Sequence, residues 1–268
     1  MRDRRSFLLT GASAAAMVSG DVLRAATAAE AEGTGKKRSP FFQFTILRLQ
    51  YGAQIKRMTE WFGKRALPLM LKSGFGPTGF FNVEVGPHIP AVYVLVSYPS
   101  LAKMEATWTR YNALPGWPEM MGDLYTDEPA FYREDNVLLQ ATDFSPRLKV
   151  TAAGDPAHKI FELRIYEAPT HKAIRLLHER FTGGEITIFH KCGIKPIFYA
   201  NTVFGLNQPN LVYMIPFDDL AQREKAWTAF RASPDWHKLR YDSIRQGGEI
   251  VRNISSILMS PNEHSQIR

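Results

Sequence analysis

The sequence predicts an α+β fold made of two tandem ferredoxin-like βαββαβ units, and three observations carry that reading. Text recurs along the chain: Gly74 returns as Gly193, Leu101 as Leu220, Trp108 as Trp227 and Pro115-Gly116-Trp117 as Pro234-Asp235-Trp236, all at an offset of 119. Leu47-Arg48-Leu49 answers Leu163-Arg164-Ile165 at 116, and Val92-Tyr93 answers Val212-Tyr213 at 120. Such small indels, confined to connections, are what two copies of one folding unit show. Within each copy the hydrophobic period alternates between two and 3.6 in the order strand, helix, strand, strand, helix, strand.

Residues 1–28 read as a twin-arginine-type signal peptide: Arg4-Arg5, then a modest apolar run from Leu8 to Val18, then Ala26-Thr27-Ala28 where a signal peptidase would cut. The run is too short and too polar to span a bilayer, and no other segment reaches eighteen apolar residues. The expected location is therefore periplasmic or secreted by the twin-arginine route, with no integral membrane segment in the mature chain. Residues 29–40 read as a flexible linker.

The first repeat, 41–142, opens on a strand through Phe42, Phe44, Ile46 and Leu49. A helix follows with Ile55, Met58, Phe62, Ala66 and Leu69 on one side; Pro68 predicts a kink or break in its last third, and Gly74 its stop. Phe80–Val85 and Ala91–Tyr98 read as a hairpin about Gly86-Pro87-His88, Ser100 as the N-cap of a second helix, and Asn136–Ala141 as the fourth strand. Residues 143–157 read as an inter-repeat linker. In the second repeat, 158–260, Phe161, Leu163 and Ile165 alternate with Glu162, Arg164 and Tyr166. Thr170 caps a helix whose middle is weakened by Gly183-Gly184, Asn207-Gln208-Pro209-Asn210 closes a hairpin, and Ser233-Pro234 starts a helix with serine as N-cap and proline at N1. Ile250–Met259 reads as the closing strand and 261–268 as a loose tail.

Composition excludes several function classes. The apolar fraction is 45%, ample for a core, and the net charge of +7 comes with no basic stripe interleaved with aromatics, so no nucleic-acid partner is expected. Cys192 is the sole cysteine, which excludes an intrachain disulfide and any multi-cysteine metal site. There is no Gly-x-Ser-x-Gly and no phosphate-cradling glycine loop. His171 and His178 are two turns apart, too far to share a metal, so no metal site is expected.

At Glu162-Leu163-Arg164-Ile165-Tyr166, Gly193, Val212-Tyr213-Met214 and Ser233-Pro234-Asp235-Trp236 the chain resembles the NIPSNAP family, over roughly 158–258 and more weakly over 41–141. The resemblance implies a dimeric α/β barrel, here closed by two repeats of one chain, and implies no established reaction. In such a barrel one sheet face packs on helices and the other lines a lumen. The apolar Phe161, Leu163 and Ile165 are assigned to the helix side, which aims Glu162, Arg164 and Tyr166 inward, with Arg48 taken as the counterpart of Arg164. The expected site is a lumen lined by Arg48, Glu162, Arg164, Tyr166, Tyr199 and Asn201, suited to a small anionic or aromatic ligand. The competing reading is a Glu162–Arg164 or Arg164–Tyr166 network that merely closes the barrel. The expected function is binding of that small ligand in the barrel or, if the network merely closes it, service as an assembly module, with self-association among the expected partners. The alternative function is a haem-binding or cofactor-free oxygenase-type enzyme of this barrel class, with His190 as the residue able to reach a haem.

Overall fold

β-Branched and aromatic runs flanked by turn residues fold as strands, and capped amphipathic runs fold as helices. The computed structural model describes residues 40–124, 129–151, 158 and 160–268, within one unit, Ser39–Arg268. The signal-peptide and N-terminal linker expectations lie outside the described residues.

The first repeat runs β1 (Phe41–Arg48), α1 (Gln54–Trp61), α2 (Leu67–Ser73), β2 (Thr78–Val85), β3 (Ala91–Tyr98), α3 (Leu101–Asn112), α4 (Trp117–Gly122) and β4 (Arg133–Ala141). The second runs β5 (Ile160–Glu167), α5 (His171–Arg180), α6 (Ile186–Lys191), β6 (Phe198–Phe204), β7 (Asn210–Phe217), α7 (Leu220–Arg231), α8 (Pro234–Gly247) and β8 (Asn253–Pro261). Ser100, Thr170, Asp219 and Ser233 each accept a backbone N–H three residues on, which fixes where α3, α5, α7 and α8 begin. Gly74 ends α2 at φ 80°, a conformation that costs a residue without Cβ nothing. The expected break near Pro68 lies just before it: a π turn, Phe62–Ala66, separates α1 from α2, and the proline sits in the first turn of α2, where its missing N–H leaves no bond unmade. A π turn at Phe181–Glu185, 119 residues later, separates α5 from α6.

The eight strands close into one antiparallel barrel in the order β1-β3-β2-β8-β5-β7-β6-β4. Each repeat contributes four neighbouring strands, and the seams β2–β8 and β4–β6 join the repeats. Strand pairing sets the true equivalence between the copies. Phe41 faces Tyr98 as Ile160 faces Phe217, an offset of 119 in both strands, and β1 and β5 share one burial pattern. Arg48 is therefore the counterpart of Glu167, not of Arg164. The match at 116 was slipped by three residues, and an odd slip exchanges the two faces of a strand.

Face assignment is the main correction. Phe42, Phe44, Phe161, Leu163, Phe198, Met214 and Met259 form one apolar cluster that draws on both repeats, which is the lumen. Tyr166, Tyr199 and Tyr213 belong to the cluster under the helices of the second repeat. Phe161, Leu163 and Ile165 thus point inward, and Glu162, Arg164 and Tyr166 point at the helices. One end of the lumen is dry: rings of Phe42 and Phe198, and of Phe81 and Phe161, pack 4.9 Å apart across the repeats. Leu148 of the linker and Ile267 of the tail are buried in the same cluster. The tail, expected loose, runs back beside β2, with Asn262 N–H donating to the Phe80 carbonyl and Gln266 N–H to that of Thr78. The closing strand also starts later than expected, at Asn253, because Ile250 is buried beneath the helices.

Candidate functional site

The other end of the barrel is open. The β2–β3 and β6–β7 loops mirror each other there, with His88 (φ 60°) and Asn207 (φ 64°) at equivalent left-handed positions ahead of Pro90 and Pro209. Between them lies a cavity of about 900 Å³, walled by apolar side chains including Phe44, Ile46, Leu163, Ile165 and Val212. This volume is at the upper end of ordinary small-molecule pockets. Its charged pair, Arg48 and Asp135, lies on one side, and Thr202, Asn207, Asn210 and Ser255 add uncharged polar groups on the wall from the second repeat. Arg48 Nη2 lies 2.8 Å from Asp135 Oδ2, and Nε of Arg48 is buried with no acceptor among the described residues. Tyr93 sits beside the pair; burial pushes its phenol up to about 12, against the pull of Arg48, so it is a neutral donor at physiological pH. Asn136 donates to Glu134 at 2.8 Å on the same rim. The Arg48 guanidinium is already paired with Asp135, and Glu134 adds a second carboxylate to the lining, so the rim does not favour a further anion. Phe204 (70% exposed) and Leu206 (81%) stand beside the opening.

Of the six residues expected in the lumen, only Arg48 is there. Glu162, Arg164, Tyr166 and Tyr199 are brought together, but between the sheet and the helices of the second repeat. Glu162 is fully buried and accepts from Arg223 at 2.8 and 2.9 Å, Arg164 at 2.8 Å, Trp227 at 2.7 Å and Ser256 at 2.6 Å. Burial alone would raise its pKa, yet the Arg223 bonds, the Arg164 charge, Ser256 and Trp227 outweigh it and hold the carboxyl below the ordinary range. The guanidinium of Arg164 lies over the Trp227 ring at 4.3 Å and reaches the Tyr166 hydroxyl at 3.4 Å. Both bonds of the competing network form, on the helix side of the barrel. Asn201 also faces outward, its Oδ1 2.9 Å from Nε2 of His178, whose pKa burial lowers despite that bond. A second buried pair, Arg180 Nε to Glu185 Oε2 at 2.7 Å, closes the π turn; burial raises the Glu185 pKa more than Arg180 lowers it.

His190 does not fit a haem in either region: it is exposed in the last turn of α6 and lines no part of the cavity. The histidine that does line the cavity is His88, and sequence reasoning missed it. So were Tyr93, Asp135 and the orphaned hydroxyl of Tyr213. Among the described residues no helix is long and apolar enough to cross a membrane.

Solved structures share this architecture. A candidate monooxygenase from Lactobacillus acidophilus NCFM is 10% identical, covers 85% of this chain and 97% of its own, and superposes with a TM-score of 0.53. One from Fusobacterium nucleatum is 7% identical over 85% and 94% of the two chains, with a TM-score of 0.55. An uncharacterised NIPSNAP-like domain protein from Burkholderia xenovorans is 22% identical over 40% of this chain and 89% of its own, with a TM-score of 0.36. At these identities the likeness to the first two shows the fold alone. No curated protein matches the sequence significantly. The NIPSNAP family profile matches twice, over residues 45–146 and 161–266, one match to each half of the barrel. The chain belongs to the NIPSNAP family.

Proposed function

We propose that the protein binds a small, largely apolar molecule, of aromatic class and bearing one hydrogen-bonding group, in the open end of its barrel. The observation that carries this reading is the open cavity of about 900 Å³ with largely apolar walls and one charged flank, Arg48 and Asp135 beside Tyr93. An apolar body would displace water from Phe44, Ile46 and Leu163, worth about 25 cal/mol per Å² of surface covered. A hydroxyl or carbonyl on the ligand would meet the unpaired Nε of Arg48 and the neutral phenol of Tyr93. The Asp135 and Glu134 carboxylates weigh against the anionic half of the sequence expectation at this place. A purely structural assembly module would not need so large an opening in an otherwise filled lumen.

The test is titration with N-phenyl-1-naphthylamine, a neutral aromatic fluorophore. Saturable enhancement with one equivalent is expected, and Ile46→Trp, which fills the cavity wall, lowers affinity at least tenfold. Equal binding by wild type and Ile46→Trp, or unsaturable enhancement, refutes the reading. We also propose export by the twin-arginine route, supported by Arg4-Arg5 and the apolar run after it. Replacing both arginines with lysine is expected to retain the chain in the cytoplasm, and unchanged export would contradict it.

A further inference from the structure

The duplication supplies an internal control for the helix-side cluster of the second repeat. At the offset of 119 fixed by strand pairing, Arg164 corresponds to Thr45, Tyr166 to Leu47, Glu185 to Ala66, Tyr199 to Phe80 and Tyr213 to Val94. The first repeat closes the same layer with Leu47, Ala66, Phe80 and Val94, all buried in one apolar cluster. The fold therefore does not require polar groups there. The second repeat nevertheless buries them and leaves four atoms without a hydrogen bond of ordinary geometry among the described residues: Tyr199 Oη, Arg164 Nε, Glu185 Oε1 and Tyr213 Oη, the last with only the Tyr166 hydroxyl near it. An orphaned polar group away from water costs more than an apolar replacement of the same shape, so four in one layer call for an occupant that satisfies them.

These atoms are neighbours. The Tyr213 ring lies 5.2 Å from that of Tyr166 and 5.7 Å from that of Tyr199, and Arg164 reaches the Tyr166 hydroxyl. Glu185 lies near enough to act electrostatically on both Tyr199 and Tyr213, and Arg164 acts on Glu185 and Tyr213. Three of the four orphans are hydrogen-bond donors in their ordinary state: two phenols and a guanidinium N–H. The guanidiniums of Arg164 and Arg223 share the buried carboxyl of Glu162, Arg180 takes that of Glu185, and Arg223 also acts on the exposed Glu224. Burial further disfavours the ionised form of Glu185 and of both tyrosines, which keeps the phenols as donors.

We propose that Arg164, Tyr199 and Tyr213 form a second binding site, enclosed between the sheet and the π-turn helix pair of the second repeat, for a small monoanion of the carboxylate class. Its oxygens accept from both phenols and from Arg164 Nε, and Glu185 Oε1 is the remaining polar wall. The site lies on the opposite face of the sheet from the open cavity, so the two readings stand or fall separately.

The probe is acetate, with the full chain. Thermal unfolding in potassium acetate against potassium chloride at matched ionic strength is expected to show a saturable rise in Tm, as for any ligand held only by the folded state. Carbon-13-labelled acetate is expected to give a saturable NMR titration. Tyr199→Phe with Tyr213→Phe removes two charge-assisted bonds; it weakens acetate at least tenfold and raises Tm in chloride, because two orphaned hydroxyls are gone. Ile46→Trp leaves acetate binding unchanged. The proposal is overturned if acetate and chloride act alike, if the double variant binds acetate like wild type, or if Ile46→Trp alone abolishes binding. If the double variant does not fold by circular dichroism, each single Tyr→Phe variant is held to the same outcomes.

Discussion

Glu162→Gln tests how the two repeats were rebuilt around one tryptophan. Gln43, the counterpart of Glu162, accepts from Trp108 at 3.3 Å and Tyr98 at 3.1 Å, with no arginine beside it. Glu162 occupies the same position beside Trp227 with two arginines bound to it. Amidation keeps the shape, removes the charge and turns an NH2 toward groups that all donate. Breaking one side of a buried pair costs about 3–5 kcal/mol. Arg164 is 13% exposed and Arg223 21%, so water recovers part of this and the expected loss is near the lower limit, about 3 kcal/mol. That is a large share of an ordinary domain stability of about 5–15 kcal/mol. The assay is urea unfolding of the full chain at pH 7, read as a fall in midpoint at constant slope. The triple variant Glu162→Gln, Arg164→Thr, Arg223→Met installs the residues of the first repeat and is expected to recover most of the loss. A loss below about 1 kcal/mol for Glu162→Gln, or a triple variant no better than the single, refutes the argument.

The same carboxyl sets a pH dependence: its folded pKa is depressed, so its stabilisation is complete above the ordinary glutamate value of about 4.3 and is lost as pH falls through the lower folded value. Urea midpoints from pH 6 down to 3 should fall more steeply for wild type than for Glu162→Gln, and parallel curves would contradict this. Glu185 has the opposite sign. Its folded pKa is raised, so stabilisation is present below the unfolded value and lost as pH rises through the folded one; Arg180→Met is expected to cost about 3 kcal/mol at pH 8 and clearly less at pH 5. A pH-independent cost, by the same titration, would show that the carboxyl is not charged against Arg180. At the filled end, Leu148→Ala and Ile267→Ala are each expected to cost about 2–4 kcal/mol by urea unfolding, since both plug the lumen cluster, and a neutral effect would mean that the end is not packed. Gly76→Ala drives a Cβ into the Ser97 carbonyl oxygen and is expected to lower Tm by several degrees in calorimetry.

The helix starts at Ser100, Thr170 and Ser233, the stop at Gly74 and the βαββαβ order were legible because each rests on local chemistry. The duplication was legible because tryptophans and glycines anchor it. The facing of β1 and β5 was not. Both faces of these strands carry apolar side chains, one facing a largely apolar lumen and one under helices, so hydrophobicity cannot rank them. What decides is satisfaction of polar groups: Glu162 needs the indole of Trp227 and the guanidinium of Arg223, and both stand on α7. Pairing Arg48 with Arg164 by text similarity hid this, since three residues of slip reverse the face. The cluster of Glu162, Arg164, Tyr166 and Tyr199 was found as a group and placed on the wrong side. Tyr93, Asp135 and His88 were not found at all, because they converge only when three separate segments meet at the barrel mouth.

The claim that most depends on this facing is a lumen open at the His88–Asn207 end and dry at the other, and thiol accessibility tests it directly. In a Cys192→Ser background, Ile46→Cys is expected to react rapidly with a small thiol reagent and to be protected by N-phenyl-1-naphthylamine. Phe161→Cys, at the filled end, is expected to stay unreactive until the chain unfolds. Fast labelling at Phe161→Cys with Ile46→Cys inert, or equal labelling of both untouched by the fluorophore, would contradict it.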